Sequence, residues 1–458
     1  MSDPEPSSVP LPPRNMNGPL YMQTSGSSVV LVRRLRRKDD GPWRQLARWF
    51  VENQIGLSFN LLALLFLAHS FIPKARAHTR RFFHLSYYDA SSAKYGVGFD
   101  DVYIIIFCIL LFTGLRAATM EYVLVPFARL QGLTKRKALT RFSEQAWLFA
   151  YYSVFWSVGM YIYTTSPYFL NLRELWTGWP IREIDGLTKL YILAQLAFWL
   201  QQILVVNIED RRKDHWQMLS HHIVTTMLVY SCYCYHQTRV GNLVLVIMDV
   251  VDLFFPIAKC LKYTGHRTLC DIAFGIFMLS WFVARHIFYM MICWSVYAHT
   301  PVVIPYGCFS GRGGQPIVFE PTPSGLSYLV EPFLNSSKRV CYNTTVKWGF
   351  LAPLLFLQCI TIVWFTMIVR VAVKVIRGDG AEDTRSDDED DVEDEVDEFV
   401  YEEARPLEEE VGVEALDLKG WERRTGVRRQ ASSSGVSLPG HSDRKELLGR
   451  IGCEKQVE

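Results

Sequence analysis

Two adjacent histidines, His221 and His222, lie inside an otherwise apolar run, and two aspartates, Asp249 and Asp252, lie inside the next one. Ionisable side chains are costly within a hydrocarbon layer, so their presence there marks a site by default. A neutral imidazole can act as general base or as acyl acceptor, its ordinary pKa of about 6.5 permitting both roles. A buried carboxylate can fix the tautomer of such a ring and stabilise its protonated form. The set suits amide formation from a thioester, where the amine must lose a proton and water must be kept away. Proton-coupled transport would use the same groups.

Helical geometry orders the set. At about 100° per residue, Asp214, Met218, His221 and Thr225 fall within about 60° of one another, with His222 at the edge of that face. Asp249 and Asp252 stand three apart, and Pro256 and Lys259 continue their side. Arg211, Arg212 and Lys213, just ahead of the histidine run, form a basic patch suited to the phosphates of a coenzyme A thioester. Metal chemistry is disfavoured. His215, His221 and His222 lack the repeated histidine clusters of membrane di-iron sites, and the cysteines show no ligand spacing.

The elements that must hold these residues are membrane helices. Half of the 458 residues are hydrophobic and 14% are aromatic, gathered into runs of the length that marks a bilayer span. Eight spans are expected, at roughly 55–72, 101–125, 143–163, 187–206, 216–236, 240–263, 269–297 and 349–371. The histidine and aspartate spans are antiparallel neighbours joined by a short turn. His222 then lies about 10 Å and Asp252 about 16 Å inside the same end, so the two sets meet at similar depth. In the second and seventh spans, Arg116 with Glu121 and Arg285 with His286 read as interior structural pairs.

Charge sets the orientation. Residues 379–410 hold 18 acidic and 2 basic side chains, which leaves +18 on the rest of a chain of net charge +2. The N-terminal flank (Arg33, Arg34, Arg36, Arg37, Lys38) and the connections after the second, fourth, sixth and eighth spans are basic, and all become cytosolic if the N-terminus is. The connection at 73–81 disagrees, because Lys74, Arg76, Arg80 and Arg81 fall on the luminal side of that count. The luminal loop 298–347 carries two glycosylation sequons, at Asn335 and Asn343, and the cysteines Cys308 and Cys341, which could bridge there. The expected organisation is a cytosolic N-terminal tail over 1–50, a transmembrane domain over 51–378 and an acidic cytosolic tail over 379–458. Residues 1–30 and 379–458 have the composition of disordered tails. Thr384 and Ser386 each precede an acidic residue at the third position, the pattern acidophilic kinases read.

The motif residues resemble the ceramide synthases of the TRAM/Lag1/CLN8 (TLC) domain superfamily. The resemblance rests on Arg211 to Asp214, Met218, His221, His222 and Thr225, then Arg239, Gly241, Asp249, Asp252, Lys259 and Tyr263. Arg141, Phe142, Ser143, Glu144, Trp147, Trp179, Pro180, Lys189, Tyr191, Phe198, Trp199 and Glu209 lead up to it, so that it covers roughly residues 100–375. It implies an all-α polytopic bundle around an intramembrane cavity, in the endoplasmic reticulum membrane. It also implies transfer of a fatty acyl group from acyl-CoA to a sphingoid base, through an acylated histidine placed here at His221. No cofactor is implied beyond the acyl-CoA co-substrate. Two features depart from the family pattern: Met248 precedes Asp249 where a histidine is common, and no homeobox-like segment follows the first span. The acidic tail and long loop look like the fungal branch, which implies a small single-span accessory subunit and pairing with a related synthase. Lipid-binding or translocon-associated relatives without acyl transfer are the alternative.

Overall fold

In a computed structural model of the 458-residue chain, the described residues are 20–25, 28–34, 42–208, 214–311, 318–323, 325–335, 338–377 and 401–403. They divide into two compact units.

In the smaller unit, three short stretches of the chain form strands. Strands β1 (Leu20–Ser25) and β2 (Ser28–Arg34) pair antiparallel, and a short strand at Tyr401–Glu403 (β8) adds to β2. The run Val29, Val30, Leu31, Val32 supplies strand propensity that composition averaged over the whole tail conceals. Arg33 is in register with Glu402 in that ladder.

The larger unit is a helical bundle. Helices α1 (Pro42–Phe71) and α2 (Pro73–Phe83) come first, followed by a two-residue β-hairpin of β3 (Tyr88–Asp89) and β4 (Lys94–Tyr95). Helix α3 (Asp101–Thr119) runs through a π-helical turn, Met120–Leu124, into α4 (Val125–Leu130). Next come α5 (Arg136–Thr164), α6 (Gly186–Ile208), α7 (His215–Cys234), α8 (Thr238–Asp249) and α9 (Val251–Tyr263). Helix α10 (Arg267–Trp281) passes through a second π-helical turn, Phe282–Phe288, into α11 (Tyr289–Ala298) and the short α12 (Thr300–Val303). A sheet of order β6–β5–β7 follows, from Gly307–Ser310 (β5), Val318–Glu320 (β6) and Val340–Tyr342 (β7), with α13 (Ser327–Leu334) inserted. The long α14 (Thr344–Arg377) completes the unit.

Each expected span is helical. Among the described residues, five helical stretches are long and apolar enough to cross a membrane: Trp49–Phe71, Asp101–Leu130, Gly186–Ile208, Arg267–Val303 and Thr344–Lys374. Helices α5 and α7 are more polar, α8 and α9 are each shorter than a span, and α7, α8 and α9 carry the histidines and aspartates. Outward faces are apolar, with Leu64, Phe66, Tyr122, Met227 and Leu279 exposed, as for surfaces that meet lipid. The protein is a helical multi-pass membrane protein.

The connections alternate between two ends of the bundle. At one end Tyr95 and Ile184 exchange backbone hydrogen bonds, Trp179 Nε1 donates to the Tyr235 carbonyl, and Arg182 donates to the carbonyls of Phe309 and Lys338. At the other, Ala128, Leu133, Leu139 and Phe142 pack with Cys260 and Tyr263. The discordant basic segment 73–81 is helix α2, a separate element lying just beyond α1. Arg76 caps the end of α1 by donating to the carbonyls of His69 and Ser70, and Arg81 pairs with Asp100 at 3.0 Å. Those cations serve a helix terminus and an ion pair, local uses that a charge count cannot register.

Candidate active site

Helix α7 presents His221 and His222 to two different environments. His221 lines a cavity between α6, α7, α8, α11 and α14, together with Thr225, Asp249, Asp252 and Arg285. His222 turns into the packing behind it, its ring 5.3 Å from that of Trp199. Trp199 and Trp364 flank His221 at 5.8 and 5.3 Å between ring centroids. The Nδ1 atoms of both histidines are buried without a hydrogen-bond partner, as are Thr225 Oγ1 and Trp199 Nε1. Buried polar atoms normally find partners, so this cluster of unengaged groups around one ring is a place where a ligand supplies what the protein does not.

The carboxylates are held otherwise than triad logic leads one to expect. Asp249 accepts from Gln195 Nε2 at 2.9 Å, and the Gln195 oxygen accepts from Tyr151 at 3.0 Å. Asp252 pairs with Arg285 at 3.1 Å, and the guanidinium stacks 4.0 Å over Trp281. The helix is interrupted at Val250, between α8 and α9, so the aspartates do not share one regular helix. Pro256 adds to the irregularity: it has no N–H to give the Asp252 carbonyl four residues earlier. The chain thus presents Asp249 from the last turn of α8, fully buried, and Asp252 from the first turn of α9, with 28% of its side chain open.

Arg285 and Gln195 extend the site beyond the residues expected from sequence. Arg285, read from the chain as a structural partner, does pair with Asp252, but it also lines the cavity. It sits in the π-helical turn Phe282–Phe288, a local widening of the helix that often accompanies functional sites. Gln195 carried no signal, being one amide among the apolar residues of α6. His286 lies outside the cavity, bonded to Gln358 at 2.8 Å.

Other expected site residues fall elsewhere. Met218 packs beside Trp281 and Trp364, Lys259 lies 4.7 Å over the Phe255 ring, and Asp214 is buried at the start of α7; none lines the cavity. Arg211, Arg212 and Lys213 lie outside the described residues, as do Thr384 and Ser386. Cys308 and Cys341 are disulfide-bonded, joining β5 to β7. Asn335 is exposed, whereas Asn343 caps α14: its side-chain oxygen accepts from the Val346 N–H at 3.0 Å and its amide donates to Tyr328 at 2.8 Å.

The cavity leads away from the His/Asp cluster along α7 and α8 between apolar walls, including Leu228, Val240, Val244 and Leu357, and reaches Trp176 and Tyr342 at the end bearing the disulfide-linked sheet. One end is polar and reactive, and the rest is shaped for hydrocarbon.

Known proteins align with this arrangement. The TLC domain family (TRAM, LAG1 and CLN8) matches residues 141–370, half of the chain, and these include every residue of the cavity. A ceramide synthase of Gibberella moniliformis is 46% identical over 87% of this chain and 90% of its own length. A sphingosine N-acyltransferase-like protein of Alternaria alternata is 45% identical over 75% of this chain and 77% of its own. A sphingosine N-acyltransferase of Schizosaccharomyces pombe is 39% identical over 69% of this chain and 75% of its own. With a matching domain that holds the whole cavity and relatives aligned along most of their length, the chain belongs to the TLC domain family.

Proposed function

We infer that the chain is a ceramide synthase, transferring a fatty acyl group from acyl-CoA to the amine of a sphingoid base. The observation that carries this is the cavity itself: an imidazole with unengaged donors around it, opening into a long apolar space. The relatives' names supply the reaction, N-acylation of a sphingoid base. Acyl-CoA as the donor and residence in the endoplasmic reticulum membrane belong to the same reading. The basic residues of the connections support a cytosolic side for the α4–α5 and α6–α7 turns, with Arg211, Arg212 and Lys213, where acyl-CoA is available.

The geometry supports a two-step transfer. A nitrogen of the His221 ring attacks the thioester carbonyl, the carbon–sulfur bond breaks, and CoA departs as the thiol with the imidazole's proton. The acyl chain lies along the apolar length of the cavity while its carbonyl stays beside Thr225. Thr225 Oγ1 and Trp199 Nε1, both buried and unengaged, are placed to donate to the oxygen that becomes negative in each tetrahedral intermediate. Arg285, neutralised by Asp252, keeps a cation beside the reacting carbonyl. The sphingoid amine then attacks, the bond to His221 breaks and the amide forms, with the amine proton passing, directly or by way of Asp249 or His222, to the departing His221 ring, which regains the proton it gave to CoA. Releasing CoA before the second lipid arrives suits an enclosed site.

The test is intact-protein mass spectrometry after incubation with acyl-CoA alone, followed by addition of labelled sphingoid base. An acyl adduct on wild type, absent from His221→Ala and discharged as ceramide by the base, is the expected result. Normal turnover with no adduct would sink the covalent route and leave His221 as a general base.

A further inference from the structure

The far end of the cavity, remote from His221, contains one polar group that the transfer reaction does not use. Gln237 precedes α8 and is 5% exposed, and its Nε2 atom is buried with no hydrogen-bond partner. Its backbone is engaged, the N–H donating to the Cys232 carbonyl at 2.8 Å and the carbonyl accepting from Gly241 at 3.1 Å, so the side chain is held at the cavity wall. Nearby polar groups are already matched. Trp176 Nε1 donates to Ser295, Trp179 Nε1 to the Tyr235 carbonyl, and Tyr168 to Asn242. The remaining wall there is Val240, Trp176, Tyr342 and Phe350. A buried amide donor left without an acceptor is destabilising, a penalty that leucine or methionine at this position would avoid.

Depth identifies what could relieve it. From His221 to Cys234, at the end of α7, the helix rises about 20 Å, comparable to an extended long-chain acyl group. A chain attached at His221 and laid along α7 therefore brings its distal carbons to Gln237. An ordinary methyl terminus offers that amide nothing, whereas an oxygen atom on the chain accepts its hydrogen bond. We propose that the far end of the cavity is a subsite for an oxygen-bearing hydrocarbon chain, with Gln237 Nε2 donating to a hydroxyl or keto oxygen near the chain's distal end. The acyl chain and the sphingoid chain are two sources of that same group. This proposal rests on the reading of the cavity as the acyl-transfer site.

The experiment compares kcat/KM for pairs of substrates of equal chain length, with and without a terminal hydroxyl, in detergent-solubilised full-length protein. One arm places the hydroxyl on the acyl-CoA and keeps the base plain, and the other places it on the base and keeps the acyl-CoA plain. Each preference is a ratio within one protein preparation, so differences in yield cancel. Replacing Gln237 with Leu, and in parallel with the nearly isosteric Met, should lower the hydroxylated-to-plain ratio about tenfold or more in one arm, as when a site built to hydrogen-bond an oxygen loses its donor. The arm that responds identifies which chain reaches Gln237. An unchanged ratio in both arms for both variants would overturn the proposal. So would a wild type that discriminates against the terminal hydroxyl in both arms as strongly as an all-apolar pocket does, a readout that needs no variant to fold. Absence of ceramide from plain substrates in the wild type is a separate result, and it would remove the acyl-transfer reading itself.

Discussion

Two buried polar clusters occupy the bundle, and they are built on opposite terms. Near the β3–β4 hairpin, the Lys189 ammonium is wholly buried and meets the carbonyls of Ser86 and Gly96 at 2.8 and 2.7 Å and the Asp101 carboxylate at 2.7 Å. Asp101 also accepts from Tyr233 at 2.6 Å and from the Gly98 N–H at 3.0 Å. Around His221, in contrast, Thr225 Oγ1, Trp199 Nε1 and Arg285 Nε stand without partners. The first cluster ties a loop to α3, α6 and α7, its ammonium and carboxylate paired with each other. The second spends stability to keep donors available. Burial alone does not distinguish the two clusters; they differ in how many buried donors and acceptors converge unengaged on one ring.

That contrast can be broken experimentally, beginning with the largest effect. Replacing His221 with Ala is expected to lower ceramide formation by at least about 10³-fold, with the thermal unfolding midpoint in detergent close to wild type. A collapse of stability in place of activity would assign His221 to the structural class. Lys189→Met should do the reverse, destabilising the fold by about 3–5 kcal/mol because Asp101 is left buried without its counter-ion. Adding Asp101→Leu to that variant should restore much of the loss, read as recovered yield of folded protein. Thr225→Val, which keeps the shape and removes the hydroxyl, should reduce kcat about 10²-fold with little change in KM. Thr225→Ser should retain most activity, and equal rates for the Val and Ser variants would remove the hydroxyl from the mechanism. The smallest effect belongs to Asn343, whose replacement by Ala should cost about 1 kcal/mol through loss of a helix cap. Because the Asn343 amide is committed to α14 and Tyr328, glycosidase treatment should shift the mobility of wild type and Asn343→Gln alike, but not of Asn335→Gln.

The sequence makes one of these clusters far more legible than the other. His221, His222, Asp249 and Asp252 can be found from the chain because ionisable residues inside apolar runs are rare, and helical periodicity alone separates the faces of His221 and His222. The helical, polytopic character is legible for the same reason, since apolar runs of that length leave few alternatives. Partner choice is not legible. Asp249 is matched to Gln195, 54 residues away, and Asp252 to Arg285, 33 away, and such pairings depend on how whole helices are rotated. The interruption at Val250 and the π-helical turn at Arg285 have no strong local signature. They shift which residues face inward by a fraction of a turn, and so bring Arg285 into the cavity that Met218 and Lys259 were expected to share. The strands at 20–34 were hidden differently, by averaging a short β-branched run into a polar tail.

The cavity is completed late in the chain. Its wall needs Tyr342, next to the disulfide-bonded Cys341, and Phe350, Leu354 and Leu357 from the final helix α14. Until α14 has been synthesised and inserted, and the loop before it folded and oxidised, His221 faces an open groove. The reactive residues are thus translated well before the compartment that protects them exists. A nascent or truncated chain can therefore contain His221 and both aspartates and still lack the walls that enclose them.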